Sequence, residues 1–217
     1  PDEKQDRQAG GEPDERYEKR LRELLRCTDV QNDQEFFNAL ERLVDVPQYL
    51  TWWAYTILFL DTHQDRWHNN RLYLHLPSGT FRPIPWDMTI KHNSLLKDAI
   101  DLSMSPVTER LLQSPYHVYL RNKIIWESLQ GPAHSNRQVE WLDDAARLIR
   151  EDIYADPHKD SMLPVFPLLK SLRAGKLTAS FSVVPATNAM FDEEVESMKT
   201  FVTERNDFLR RMLSETA

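Results

Sequence analysis

The sequence predicts a mainly helical fold with one small antiparallel β-hairpin, and three observations support that fold class. Apolar residues recur every three or four positions along most of the chain, as Tyr17, Leu21 and Leu24 do near its start. Between residues 71 and 85 the period changes to alternation around a Pro-Ser-Gly turn. The composition, 41% hydrophobic and 10% aromatic over 217 residues, is that of a chain able to bury a core.

Each predicted helix has recognisable boundary residues. Asp33 and Asp45 are assigned as N-caps of two consecutive helices, and Pro47 fits the first turn of the second. A serine starts each of the three helices after the hairpin, and Gly131 ends the middle one. Residues 156–190 contain several prolines and are predicted as loop with a short helix. The predicted helices cover residues 14–27, 34–44, 47–61, 105–113, 114–131, 135–154 and 192–215.

The predicted hairpin pairs residues 70–76 with residues 80–85, because Pro77, Ser78 and Gly79 supply the turn between them. We expect it to pack on the helix of residues 47–61, which is apolar on nearly all sides and should therefore be central. Trp86 follows the second strand and is interpreted as a core anchor beneath the hairpin.

Charge and composition exclude several classes of protein. The formal charge of −7 and the pI near 5.5 argue against a nucleic-acid partner, which favours a basic face. Cys27 is the single cysteine, so neither an internal disulfide nor a cysteine zinc site is expected. The longest apolar run, residues 49–60, is too short to span a membrane. Residues 1–14 are predicted as an acidic tail or linker, and residues 15–217 as the folded domain.

Polar residues around the hairpin have the spacing of a phosphoryl-transfer site. Asp65 precedes Asn70 by five residues, and Asp87 follows the second strand. In protein kinases an aspartate handles the substrate hydroxyl proton, an asparagine five residues later binds Mg²⁺, and a second aspartate beyond a hairpin binds the metal. This spacing also arises in ordinary polar loops, where Asp and Asn bond to nearby backbone groups. His63 and His68, in the same loop, are interpreted as loop hydrogen bonders.

A longer stretch carries a family resemblance. Residues 59–87 read FLDTHQDRWHNNRLYLHLPSGTFRPIPWD, an apolar helix end, a polar loop, a hairpin and the motif I-P-W-D. This stretch resembles the core of the CotH kinases, atypical protein kinases related to spore coat protein H, and the similarity extends over residues 15–214. The matching residues are Asp65, Asn70, Leu72, Tyr73, Pro77, Gly79, Ile84, Pro85, Trp86 and Asp87.

The resemblance implies a fold, an activity and a set of site residues. Residues 15–217 would form the helical C-terminal lobe of an atypical protein-kinase-like fold that binds ATP with Mg²⁺ or Mn²⁺. Asp65 would be the catalytic aspartate, and Asn70 and Asp87 the metal and nucleotide ligands. Members of the family phosphorylate serine and threonine of proteins, including coat proteins of bacterial spores, so the expected partners are ATP and a protein substrate.

The sequence also departs from the family pattern. Thr89 stands where the motif usually has a second acid. A β-rich N-terminal lobe with an ATP-pairing lysine is not evident, so such a lobe is expected upstream if the protein is an active kinase. The alternative is a non-catalytic pseudokinase or a structural, coat-type scaffold. Cell-surface, spore-coat-like and secreted locations all stay open.

Overall fold

The structure, a computed structural model, describes residues 15–61, 63–64, 70–90, 98–103, 105–158, 160–165 and 180–215. Contacts divide the chain into two compact units, Pro1–Gly131 with Arg205–Ala217, and Pro132–Glu204. The described residues form seven helices and two antiparallel strand pairs. The predicted mainly helical fold with a small hairpin is therefore confirmed, and a second strand pair is added to it.

The helices and strands have the following bounds in chain order. The helices are α1 (Glu15–Cys27), α2 (Asp33–Leu43), α3 (Val46–Leu58), α4 (Pro106–Leu112), α5 (Pro115–Gln130), α6 (Ser135–Ala155) and α7 (Asn188–Glu215). The strands are β1 (Arg71–His75), β2 (Thr80–Ile84), β3 (Asp160–Val165) and β4 (Ser180–Pro185). Within these ranges, none of the helices is both long and apolar enough to cross a membrane.

The helix caps confirm some boundary predictions and correct others. Asp45 caps α3 as predicted, since its side chain accepts a hydrogen bond from the Gln48 backbone N–H. Helix α2 is instead capped by Asn32, whose Oδ1 accepts from the Glu35 N–H at 3.0 Å, and Asp33 is the first helical residue. His134, rather than a serine, caps α6. Adjacent capping residues compete for one position, and the sequence pattern alone does not separate them.

Helix α3 lies at the centre of the first unit, as its apolar pattern predicted. Its buried residues are Val46, Tyr49, Leu50, Trp52, Trp53, Ala54, Thr56, Ile57 and Leu58. The hairpin packs against this helix through Phe81, which is 0% exposed. The Phe81 carbonyl accepts the Asp45 N–H at 2.9 Å, and Arg82 Nε lies 2.9 Å from Asp45 Oδ2. Residues immediately before α3 thus hold the second strand in place, and the predicted hairpin position is confirmed.

Two arginines are buried in the first unit. Arg205 Nη2 donates to the carbonyl oxygens of Ile57 at 2.7 Å and Ala99 at 2.8 Å, which supplies a donor to the carboxyl end of α3. Burial lowers the pKa of Arg205 to about 10. Arg121 Nη2 lies 2.7 Å from Asp101 Oδ1, and its guanidinium stacks 4.7 Å from the Trp53 ring centroid.

The second unit contains α6, the strands β3 and β4, and the first part of α7. Strand β3 pairs with β4 from Asp160↔Pro185 to Val165↔Ser180, so part of the segment predicted as loop with a short helix is extended. Prolines within both strands hid this pairing, since proline removes the backbone donor that a strand normally uses. Lys199 joins α6 to α7 by contacting Asp143.

Candidate functional site

Two of the three predicted site residues lie at one end of the first hairpin. Asn70 directly precedes β1, and Asp87 follows the end of β2 by three residues. Because Arg71 pairs with Ile84, the chain before β1 and the chain after β2 meet at the same end. Asp65 and His68 lie outside the described residues, so their predicted roles stay predictions.

Asn70 is oriented by a buried tyrosine of α3. Burial raises the pKa of Tyr49 to about 12, and hydrogen bonds from the Ser105 and Asn70 side chains oppose that rise. The Tyr49 hydroxyl lies 3.0 Å from Ser105 Oγ. An amide that donates its N–H to this hydroxyl presents its carbonyl oxygen to a different partner. An Asn70 amide in this orientation would keep its oxygen available to a cation while its N–H bonds to Tyr49.

Asp87 adopts an unusual backbone conformation and has a specific partner. Its φ is 51°, in the left-handed region that aspartate tolerates better than most residues. His63 Nδ1 lies 3.1 Å from Asp87 Oδ2, and the Asp87 side chain remains 48% exposed. A carboxylate has two oxygens with about four acceptor positions, so one side chain can accept from His63 and also bind a cation.

A buried polar pair beneath Asp87 escaped the sequence prediction. Asp61 and Gln64 are both 0% exposed. Asp61 Oδ1 accepts the His63 backbone N–H at 3.0 Å and the Thr89 hydroxyl at 3.4 Å, while the Gln64 amide donates to the Trp86 carbonyl. Burial raises the pKa of the Asp61 carboxyl, and its hydrogen bonds with His63 and Thr89 oppose that rise. The sequence signal for this pair was Asp61 itself, an acid directly after the apolar run of residues 49–60.

Trp86 does not anchor the core. Its side chain is 51% exposed, and the Arg71 guanidinium lies 4.9 Å from its ring centroid. The interpretation of Trp86 as a core residue beneath the hairpin is therefore wrong. Phe81 fills that position instead, because it lies on the face of β2 that meets α3, and Trp86 lies beyond the end of the ladder.

The donors at this end of the hairpin suit a hard divalent cation. Asp87 offers a carboxylate and Asn70 an amide oxygen, the ligand types that Mg²⁺ and Mn²⁺ prefer. Within the described ranges, no three His, Cys, Asp or Glu side chains form a group that could hold a metal ion by themselves. A cation here would take its remaining ligands from water, a bound phosphate or residues outside those ranges.

The helical unit, with hard oxygen donors brought together by a hairpin, fits the class of kinase-like proteins. A protein-family model described as CotH kinase protein matches residues 1–209, nearly the whole chain. The chain therefore belongs to the CotH kinase family, and the resemblance found in its sequence is confirmed. A comparison with curated proteins finds no match.

Proposed function

We propose that this protein is an atypical protein kinase that transfers the γ-phosphoryl group of ATP to serine or threonine of a protein substrate. The observation that carries the proposal is the hairpin register, in which Arg71 pairs with Ile84. That register brings the chain segments of Asn70 and Asp87 to one end of the hairpin. Family membership supports the same activity.

Each proposed site residue has one role in the transfer. The substrate hydroxyl oxygen bonds to the γ-phosphorus while the bond from phosphorus to the β–γ bridging oxygen breaks, and ADP leaves. Asp65 would accept the hydroxyl proton. Asn70 and Asp87 would hold Mg²⁺ or Mn²⁺ through their side-chain oxygens. The cation, when bound, supplies positive charge next to the phosphate oxygens.

A second candidate is a non-catalytic pseudokinase or scaffold. The observation that favours it concerns Thr89, which stands where the family motif usually has a second acid and whose hydroxyl donates to the buried Asp61. A threonine offers no charge to a divalent cation, so one hard ligand is lost. In a scaffold, the contacts of Asp61, His63 and Gln64 would serve only to hold the hairpin end together.

The two candidates predict different binding and transfer results. Calorimetric titration of the full-length protein with Mg²⁺–ATP and Mn²⁺–ATP measures binding, and radiolabelled phosphate transfer to a generic protein substrate measures turnover. For a kinase, Asp87→Ala should lower both nucleotide affinity and transfer, because it removes a metal ligand. Asp65→Asn should preserve affinity and lower turnover, because it removes only the proton acceptor.

Exposed Asp29, in the turn after α1, provides the matched control. Asp29→Ala removes a carboxylate far along the chain from the hairpin and should change neither measurement. If the wild-type protein binds no nucleotide with either metal, the kinase proposal fails. Nucleotide binding without any transfer would favour the pseudokinase.

A further inference from the structure

Two chain segments meet next to Asp87, and side-chain contacts join them. The first segment consists of residues 60, 61, 63 and 64, which follow α3, and the second of residues 86–89, which follow β2. Three contacts cross between them: His63 Nδ1 with Asp87 Oδ2, the Gln64 amide with the Trp86 carbonyl, and the Thr89 hydroxyl with Asp61 Oδ1. We call residues 60, 61, 63, 64 and 86–89 the loop clamp. Within it, Asp61 accepts hydrogen bonds from His63 of the first segment and Thr89 of the second.

The loop clamp contains backbone strain. Among the described residues, Leu60 and Asp87 are the non-glycine residues with positive φ, at 52° and 51°. A leucine in the left-handed region has no side-chain hydrogen bond to offset the steric cost, which is on the order of 1 kcal/mol. The two strained residues stand next to Asp61 and at the candidate metal ligand. Strain of this kind persists only where surrounding contacts enforce it.

The loop clamp also contains buried polar atoms without partners. Asp61 Oδ2 and Gln64 Oε1 are both buried and make no hydrogen bond. Each such atom costs about 1–3 kcal/mol relative to a satisfied one. An aliphatic side chain would avoid that cost but would leave the His63 backbone N–H and the Thr89 hydroxyl without their acceptor. Asp61 therefore acts at this position as the hydrogen-bond acceptor for both segments.

We infer that Asp61 is a positioning residue for Asp87 and acts on it through His63. This inference rests on the proposed function, because Asp87 is the metal ligand there. Asp61 Oδ1 fixes the His63 backbone N–H at 3.0 Å, which sets the position of the imidazole. The imidazole then holds Asp87 Oδ2 and fixes the direction of the carboxylate. Oriented ligands bind metal more tightly, because less freedom is lost when the metal arrives.

The inferred role requires a hydrogen-bond acceptor at Asp61 and does not require its charge. Asparagine keeps an oxygen that can accept from the His63 N–H, whereas leucine has nearly the same shape and no acceptor. Asp61→Asn should therefore preserve the alignment of Asp87, and Asp61→Leu should lose it. Direct binding of the cation by Asp61 would give a different pattern, because then both substitutions would be damaging.

The first measurement is the protonation pattern of the His63 ring in the metal-free protein. An ionised carboxylate can only accept a hydrogen bond, so the Asp87 contact places a proton on Nδ1. Long-range ¹H–¹⁵N correlation spectra should show that proton in the wild type and in Asp61→Asn. In Asp61→Leu the Nδ1 signature should be lost. A merely structural role would not change the tautomer of a histidine in a protein that stays folded.

The second measurement is calorimetric titration with Mn²⁺–ATP. Asp61→Leu should weaken binding by about 10- to 100-fold, the usual loss when a residue that orients a metal ligand is removed. Asp61→Asn should bind nearly as the wild type does. The same two substitutions at the exposed Asp29 should have no effect in either measurement.

Three outcomes would overturn the inference. One is an unchanged His63 ring in Asp61→Leu, and another is equal damage by the asparagine and leucine substitutions. The third is that Asp61→Leu and Asp61→Ala both fail to fold while Asp61→Asn folds. That result would show that the hydrogen-bond acceptor at position 61 is needed for folding, and not for the position of Asp87. If the wild type binds no Mn²⁺–ATP, the proposed function fails, and the ring spectra still test how Asp61 acts on Asp87.

Discussion

Two buried charged residues near the carboxyl end of α3 differ in how well they are satisfied. Arg205 donates to the carbonyl oxygens of Ile57 and Ala99, and its backbone belongs to a regular helix. Asp61 follows a residue with positive φ and has one buried oxygen without a partner. Both side chains are almost completely removed from solvent. Only the arginine has the contacts expected of a group that stabilises the fold.

The difference in hydrogen bonding predicts that these two buried residues contribute differently to the stability of the fold. A buried charge with several hydrogen bonds stabilises its surroundings, because its partners would otherwise be unsatisfied. A buried charge with incomplete hydrogen bonding stabilises the fold less, because its unsatisfied atom retains the cost of desolvation. Substitutions of Arg205, Asp61 and Thr89 should therefore affect the free energy of unfolding by very different amounts.

The largest effect is expected at Arg205. Arg205→Met keeps most of the aliphatic volume and leaves the Ile57 and Ala99 carbonyls without their donor. The free energy of unfolding should fall by about 3–5 kcal/mol, as when one partner of a buried charged group is removed. Urea unfolding followed by circular dichroism measures this change. Arg211→Met, at an exposed position of the same helix, should stay within about 0.5 kcal/mol. Equal effects at both positions would contradict the structural role.

A smaller effect of opposite sign is expected at Asp61, and it should depend on pH. Burial raises the pKa of this carboxyl, so the folded state binds the proton more tightly than the unfolded state. The stability from this group is present below the unfolded pKa of about 3.9 and is lost as pH rises through the folded pKa. Asparagine does not titrate, so Asp61→Asn should become more stable relative to the wild type as pH rises from about 4 to about 7.

The gain should not exceed about 1–3 kcal/mol, the cost of one unsatisfied buried polar group. Urea unfolding of both proteins at a series of pH values measures it. A difference that stays constant with pH would show that Asp61 does not titrate differently in the folded protein.

The smallest effect is expected at Thr89. Thr89→Val has nearly the same shape and removes only the hydroxyl that lies 3.4 Å from Asp61 Oδ1. That distance is long for a hydrogen bond between oxygens, so the loss should be about 0.5 kcal/mol, at the low end of the usual range. Thermal unfolding monitored by calorimetry checks this. A loss as large as that of Arg205→Met would mean that Asp61 depends on Thr89 for its position.

Local features of the sequence were sufficient to predict the hairpin and most helices. The turn at residues 77–79 ends in Gly79, whose φ of 68° is in the left-handed region that favours glycine. The glycine in the sequence therefore indicated where the turn lies. Asp45 was recognisable as a cap because Pro47 follows it in the first turn of α3. The placement of Asn70 and Asp87 at one end of the hairpin could be predicted because a short stretch of sequence connects them.

The features that the sequence did not predict depend on contacts distant in the chain. Asp61 resembles any polar residue at a helix end, and its burial arises only when the segment after β2 folds over it. Trp86 looks like a core residue by composition, but the ladder ends before it and its ring stacks with Arg71 at the surface. The pairing of β3 with β4 joins segments that are poor strand formers by local criteria.

The hydrogen bond between Arg205 and Ile57 also affects when this protein can fold during synthesis. The two residues are 148 positions apart, so the carboxyl end of α3 acquires its donor only after the whole stretch between them has been synthesised. At about 5–20 residues per second, the ribosome needs roughly 4–15 s to make the residues between Gly131 and Arg205. During that interval the first unit is incomplete, and the nascent chain exposes surface that chaperones would be expected to cover.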